Sequence, residues 1–180
     1  MKFLGLDIST SCTGICLLSD NDILSLDFID LSKCKTLWLK ADVTRNKLMD
    51  IFQKFGNIDV LSIEEPLMGF QKGMSSAATI ATLMKFNGMT SLISRDIFGI
   101  DPEYISAAHA RKLCGIKIQR TSIAGMSGKE QVFKYMAEHD LKHIQWPLKK
   151  SGKIVDWSRD ATDSYCVAKA SSISRRLKID

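Results

Sequence analysis

Along the first third of the chain, apolar positions come in short runs broken by polar turns. Residues 2 to 8 and 14 to 19 are apolar runs, and "DILSLDFIDL" (22 to 31) alternates after an "SDND" turn, which predicts three strands in a meander. The period then changes. In "DVTRNKLMDIFQKFG" Val43, Leu48, Met49, Ile51, Phe52 and Phe55 recur at helical spacing, and Gly56 suits a helix end. "IDVLSIEEP" (58 to 66) predicts a fourth strand, apolar until Glu64 and stopped by Pro66. A strand apolar on both faces belongs in the middle of a sheet covered by helices.

From 74 to 98 the pattern predicts a long helix with Ala77, Ala78, Ile80, Ala81, Leu83, Met84, Met89 and Leu92 spread around most of its circumference. That exceeds what one core needs and points to a subunit contact through this helix. "PEYISAAHARKLCG" predicts a fifth short strand running into a helix closed by Gly115. "SGKEQVFKYMAEH" (127 to 139) carries Ser127 and Glu130 at capping-box spacing. A basic loop with Trp146, Pro147, Gly152 and Trp157 follows, and a last helix is expected from near Arg159 to about Arg176. The order predicts an α/β fold with a five-stranded mixed sheet: an antiparallel meander, then strands one, four and five parallel because a helix precedes each return. No repeat or linker divides the chain, so residues 1 to 180 are read as a single domain.

Composition narrows the class. Five cysteines, odd in number and without a C-x-x-C pair, argue against a disulfide framework and a zinc site and suit a reducing compartment. No signal-peptide pattern or membrane-length apolar run is present, so the expectation is a soluble, cytoplasmic protein. The net charge of +5 is uneven, with basic stretches at 110 to 120, 148 to 159 and 174 to 178 that favour a polyanionic partner.

Four acids fall at element ends: Asp7 after the first strand, Glu64 after the fourth, Asp160 and Asp163 at the start of the last helix. Right-handed crossover makes strands one and four neighbours with their carboxyl ends together, so Asp7 and Glu64 can be adjacent. Asp160 and Asp163 are three apart and share a helix face. Each acid alone has an ordinary explanation, as a turn cap for Asp7 or a macrodipole partner for the helix pair. Jointly they cannot all stay ionised without cations, and oxygen-only ligands select hard ions such as Mg²⁺ or Mn²⁺.

"GLDISTSCTG", "SIEEPLM" and "RDATDSYCVAKA", in this order and setting, resemble the RuvC family of Holliday-junction resolvases within the ribonuclease H-like fold. "MKFNGM", "PEYISAAHARKLCG" and "SGKEQVFKYMA" extend the likeness over nearly the whole chain. The resemblance implies a homodimer that grips a four-way junction and nicks two like-polarity strands by metal-activated water, with two Mg²⁺ or Mn²⁺ ions per site. It implies Asp7, Glu64, Asp160 and Asp163 as metal ligands, and Lys129 as the lysine near the scissile phosphate. Glu65 rivals Glu64, but adjacent strand residues face opposite ways, and Glu64 is preferred. Candidate DNA contacts are Phe70, Arg111, Lys112, Lys149, Lys150 and Lys153. Phe70 stands three residues past Leu67, which occupies a position where some relatives carry a stacking aromatic; Ser9 stands where the family more often has glycine. The 140 to 158 segment looks longer than usual, and its Trp146 and Trp157 either stack on nucleic acid or pack the loop.

His139 and His143, at i and i+4, lack the further ligands a zinc site needs. "LDISTSCTG" also resembles the first phosphate loop of actin-like and sugar-kinase ATPases, though the chain has neither their length nor their other motifs. Other readings of the acids are a nuclease of broader branched-DNA or hybrid specificity, and a module that binds branched DNA without cutting.

Overall fold

The structure is a computed structural model and describes residues 1–66 and 76–177. Strands β1 (Lys2–Asp7), β2 (Cys12–Ser19) and β3 (Asp22–Asp30) form the expected meander. Helix α1 (Leu37–Phe55) leads to β4 (Val60–Glu64), and α2 (Ala77–Phe98) to β5 (Glu103–Ile105). Then come α3 (Ala107–Leu113), the single turn α4 (Thr121–Ala124), α5 (Gly128–Glu138) and α6 (Trp157–Arg176). The sheet order is β3-β2-β1-β4-β5, with β4 parallel to both β1 and β5.

Alternation along β1 and β4 sends side chains to two different cores. Leu4, Leu6, Leu61 and Ile63 pack with Leu48, Ile51, Phe86 and Ile93 under α1 and α2. Phe3 and Val60 face the other way, with Val132, Met136, Tyr165 and Ala168 from α5 and α6. Asp7 and Glu64 have the parity of this second face. The register puts Leu6 beside Ile63, so Asp7 and Glu64 are neighbours one step further on.

Helix α6 lies directly on the backbone of the sheet. A side chain at Gly5 would collide with the Ser164 carbonyl and Ala168, and one at Gly14 with the Asp160 carbonyl. The two glycines in "GLDISTSCTG" are therefore what lets α6 descend far enough for its acids to reach the strand ends. At α1, α2, α3 and α5 hydroxyls set the starts. Thr36 accepts from Leu39, Ser106 from His109, and Ser127 and Glu130 form the expected capping box.

Boundaries differ from the sequence expectation in three places. Helix α1 begins at Leu37, not near 42, because its first turn exposes Trp38 and Leu39 and shows no apolar period. Helix α6 begins at Trp157, so Asp160 is in its first turn and Asp163 in its second. The turn α4 buries nothing and leaves no periodic signal.

Candidate active site

The four acids meet at the carboxyl ends of β1 and β4, where the start of α6 crosses them. Asp7 is 6% exposed and Asp163 3%, while Asp160 is half-buried at the rim. Glu64 is partly buried, whereas Glu65 is exposed and spends its backbone N–H on the Ile105 carbonyl at 2.9 Å. Strand parity thus selects Glu64, as expected.

Lys129 enters this group from the first turn of α5. Its Nζ donates to Asp160 Oδ1 at 2.8 Å and to Asp7 Oδ2 at 3.1 Å, and stands 3.2 Å from Asp163 Oδ2. One ammonium thus bridges three carboxylates from β1 and α6. The capping box fixes the turn that carries it, and Arg159 of α6 lies 3.7 Å from Glu130 across the same junction.

The electrostatics are those of crowded, poorly solvated anions. Burial first, then the charges of Asp163 and Asp160, push the Asp7 carboxyl up to about 6 against the opposing pull of Lys129. Glu64 is pushed up to about 8, by burial and then by Asp7 and Asp163, with Lys129 and Arg111 opposing. Asp163 is raised by burial while Lys129 and Arg111 pull it down. For Lys129, burial works against the charge, but Asp7, Asp163 and Asp160 outweigh it and hold the ammonium well above the ordinary lysine range. Beside Asp160, burial and then that carboxylate push the Cys12 thiol up to about 12, so it is no nucleophile.

A divalent cation fits the donors present. All the acids offer oxygen, and Asp163 Oδ2 is buried without a hydrogen-bond partner, because Lys129 approaches it off the hydrogen-bonding direction. Among the described residues no three acids close on a single point as they stand, and the ammonium of Lys129 lies between Asp7, Asp160 and Asp163. An ion held jointly by these three acids would need that ammonium to withdraw.

The remaining candidates fall around the rim. Arg111 on α3 is near enough to act on Glu64 and Asp163, and with Lys112, Lys117 and Ile118 it lines a groove of about 350 Å³. Lys149, Lys150 and Lys153 are exposed on a hairpin-like turn closed by the Leu148–Ile154 bridge, where Lys149 pairs with Asp156 at 2.6 Å. Phe70, like Leu67, lies outside the described residues. Trp157 stacks on Phe28 with centroids 4.4 Å apart, and Trp146 meets Phe133 edge-on at 5.1 Å. Trp146 thus packs the loop against α5, and Trp157, the first residue of α6, packs that helix start against β3. His139 caps α5, with Nδ1 2.7 Å from the Tyr135 carbonyl, and its ring stacks on Tyr135. Among the described residues no helix is long and apolar enough to cross a membrane.

No protein-family profile and no curated protein sequence matches the chain. Solved structures do. RuvC of Thermus thermophilus in complex with a Holliday junction substrate superposes with a TM-score of 0.66 at 11% identity, over 98% of this chain and 96% of that one. The chain has the fold of that resolvase. A second T. thermophilus RuvC structure gives 0.64 at 11% identity over 99% and 97% of the two chains. The yeast mitochondrial Holliday junction resolvase Ydc2 gives 0.52 at 13% identity over 98% and 81%. At such identities the likeness is one of fold, and the chemistry rests on the residues described above.

Proposed function

We propose that the protein is a metal-dependent, structure-selective DNA endonuclease that resolves four-way junctions by paired nicks. One observation carries this reading: Asp7, Glu64, Asp160 and Asp163 arrive from three separate elements at one sheet edge, around a buried carboxylate oxygen with no hydrogen-bond partner. Buried charge of this kind is costly, and a cluster of strongly perturbed carboxylates is a physical mark of a functional site. Asp7, Glu64, Asp160 and Asp163 would hold two Mg²⁺ ions, with Mn²⁺ as substitute, and these would supply Lewis acidity and an activated water for phosphodiester hydrolysis. The chain's own residues do the rest. Burial of Asp7 and Asp163 excludes bulk water from one side of the phosphate site. Lys129, once clear of the acids, would donate to a phosphate oxygen, and Arg111 adds a second cation beside the same carboxylates. Exposed Lys149, Lys150 and Lys153, with Lys112, supply sequence-independent backbone contacts.

A four-way junction has approximate two-fold symmetry, and cutting it in pairs calls for two active sites. The N-terminal half of α2 offers the contact: Ala77, Ala78, Ala81 and Met84 are exposed on a helix that buries Phe86, Ile93 and Phe98 only in its later turns. A second copy of this chain is the occupant proposed, and sedimentation should give a dimer that Met84→Glu converts to monomer.

The test is a panel of labelled four-way junctions, flaps, duplexes and RNA–DNA hybrids incubated with Mg²⁺. Symmetrical paired nicks confined to the junction support resolution. Indifference to branching points to a general nuclease, and binding without cleavage refutes the catalytic reading.

A further inference from the structure

One side-chain repeat below the acids, on the same face of the sheet, lies a second polar row. The register pairs Gly5 with Ser62 and Ser62 with Glu103, so β1, β4 and β5 present these three residues side by side beneath α6. Ser62 and Ser171 are both completely buried, and their hydroxyls hydrogen-bond one another. Ser171 donates to Glu103 Oε1 at 2.8 Å, Ser62 lies 3.3 Å from the same oxygen, and Arg175 donates to Oε2 at 3.2 Å. One carboxylate on the edge strand thus gathers two hydroxyls and a guanidinium, two of the three from α6.

Stability alone does not call for this arrangement. Replacing both partners of a buried hydroxyl pair with apolar groups is close to neutral, whereas hydrogen bonds add direction that apolar packing lacks. The position of the row gives direction a use. Helix α6 rests on the sheet backbone at two glycines, Gly14 under Asp160 and Gly5 under Ser164 and Ala168, both toward the acid end of the helix, with Ser171 and Arg175 beyond them on the other side. Contact at a glycine is smooth, with no side chain to interlock. Two such contacts set how close the helix lies but give little resistance to sliding along its axis, and axial movement shifts Asp163 relative to Glu64.

We propose that Ser62, Ser171 and Glu103 are positioning residues, a clasp that sets the axial placement of α6 on β4 and so the spacing of Asp163 from Glu64 for metal binding. The inference rests on the nuclease reading of the acid cluster. The clasp touches neither substrate nor the acids and acts through α6, one step further out than the direct partners of metal ligands, whose loss costs about 10–100-fold, so the low end of that range is expected.

The experiment compares the full-length protein with the Ser62→Ala/Ser171→Ala double variant, Glu103→Ala, Glu103→Gln and Asp7→Asn. Each is melted across a Mg²⁺ titration, and cleavage of a labelled four-way junction is measured over the same range. Expected are a metal-free melting temperature in the serine double variant close to that of the parent, a Mg²⁺ half-saturation for stabilisation and for cleavage raised about tenfold, and a maximal rate at saturating Mg²⁺ largely restored. Glu103→Gln, which keeps an oxygen for the hydroxyls, should fall nearer the parent than Glu103→Ala. If Glu103→Ala fails to fold, the serine double variant decides. A Mg²⁺ half-saturation unchanged in the serine variant, while Asp7→Asn loses the Mg²⁺ stabilisation, overturns the clasp and leaves the metal site standing. If Asp7→Asn keeps the full Mg²⁺ stabilisation, the site reading falls and takes the clasp with it.

Discussion

Lys129 stands where the acid cluster needs positive charge, and its removal should have opposite consequences with and without metal. In Lys129→Met the stem remains but three carboxylates lose their cation. Two of the contacts, at 2.8 and 3.1 Å, have hydrogen-bonding geometry, and charge-assisted bonds contribute ~1.5–3 kcal/mol each. The lysine side chain is 45% exposed, so solvent screening takes back much of this. Proton uptake at Asp7, already pushed up to about 6, relieves more. A net loss of about 2 kcal/mol in metal-free protein at pH 8 is a reasonable expectation, which for a chain of this size lowers the melting temperature by about 4–8 °C. The same 2 kcal/mol no longer opposes metal loading, so Mg²⁺ should bind up to about 30-fold more tightly and erase the difference at saturation. Junction cleavage at saturating Mg²⁺ should still fall by at least about tenfold, because the phosphate loses its donor. Melting curves in EDTA and in Mg²⁺, with titration calorimetry, check all of this. A variant destabilised equally in both conditions, or one binding Mg²⁺ more weakly, refutes the displacement of Lys129 by metal.

Two further outcomes follow from the same geometry. Burial raises Asp7 to about 6 and Glu64 to about 8, so the folded state holds protons that the unfolded chain releases near pH 4. Metal-free stability should therefore fall by a few kcal/mol as pH rises from about 4.5 to 8, and saturating Mg²⁺ should abolish or reverse that slope; a metal-free protein that gains stability over this window contradicts the burial of these acids. Gly14→Ala would drive a methyl into the Asp160 carbonyl, so it should cost about 1–3 kcal/mol by overpacking and weaken Mg²⁺ binding by moving Asp160; wild-type melting and Mg²⁺ affinity would show that α6 does not rest on β2 as described.

How much of this was legible before the coordinates differs by element. The strands and the core-facing helices follow from periodicity, because Leu4, Leu6, Leu48 and Ile51 are apolar for the same reason that they are buried. The first turn of α1 was not legible, since Trp38 and Leu39 face solvent. The meeting of Asp7 with Glu64 could be argued from strand ends and crossover alone, and parity put Glu64 rather than Glu65 on the Asp7 face, where the structure has Glu64 partly buried and Glu65 exposed. The position of Lys129 was reached only through the family resemblance: it depends on where α5 docks against α6, and by pattern alone a lysine in a helix's first turn is ordinarily solvated. Ser62, Ser171 and Glu103 carried no signal at all, because each is unremarkable at its own position and they meet only through three-dimensional register. The tryptophans were ambiguous in sequence, and their stacking on Phe28 and against Phe133 resolves that in favour of packing.

The central claim is that these four acids exchange a lysine for divalent ions. Crystals grown with Mn²⁺ and measured at the manganese absorption edge test it directly. Anomalous peaks enclosed by Asp7, Glu64, Asp160 and Asp163, with the Lys129 ammonium moved away from Asp7, are the expected result. A map without such peaks at saturating Mn²⁺, with Lys129 still bridging Asp7, Asp160 and Asp163, would contradict it.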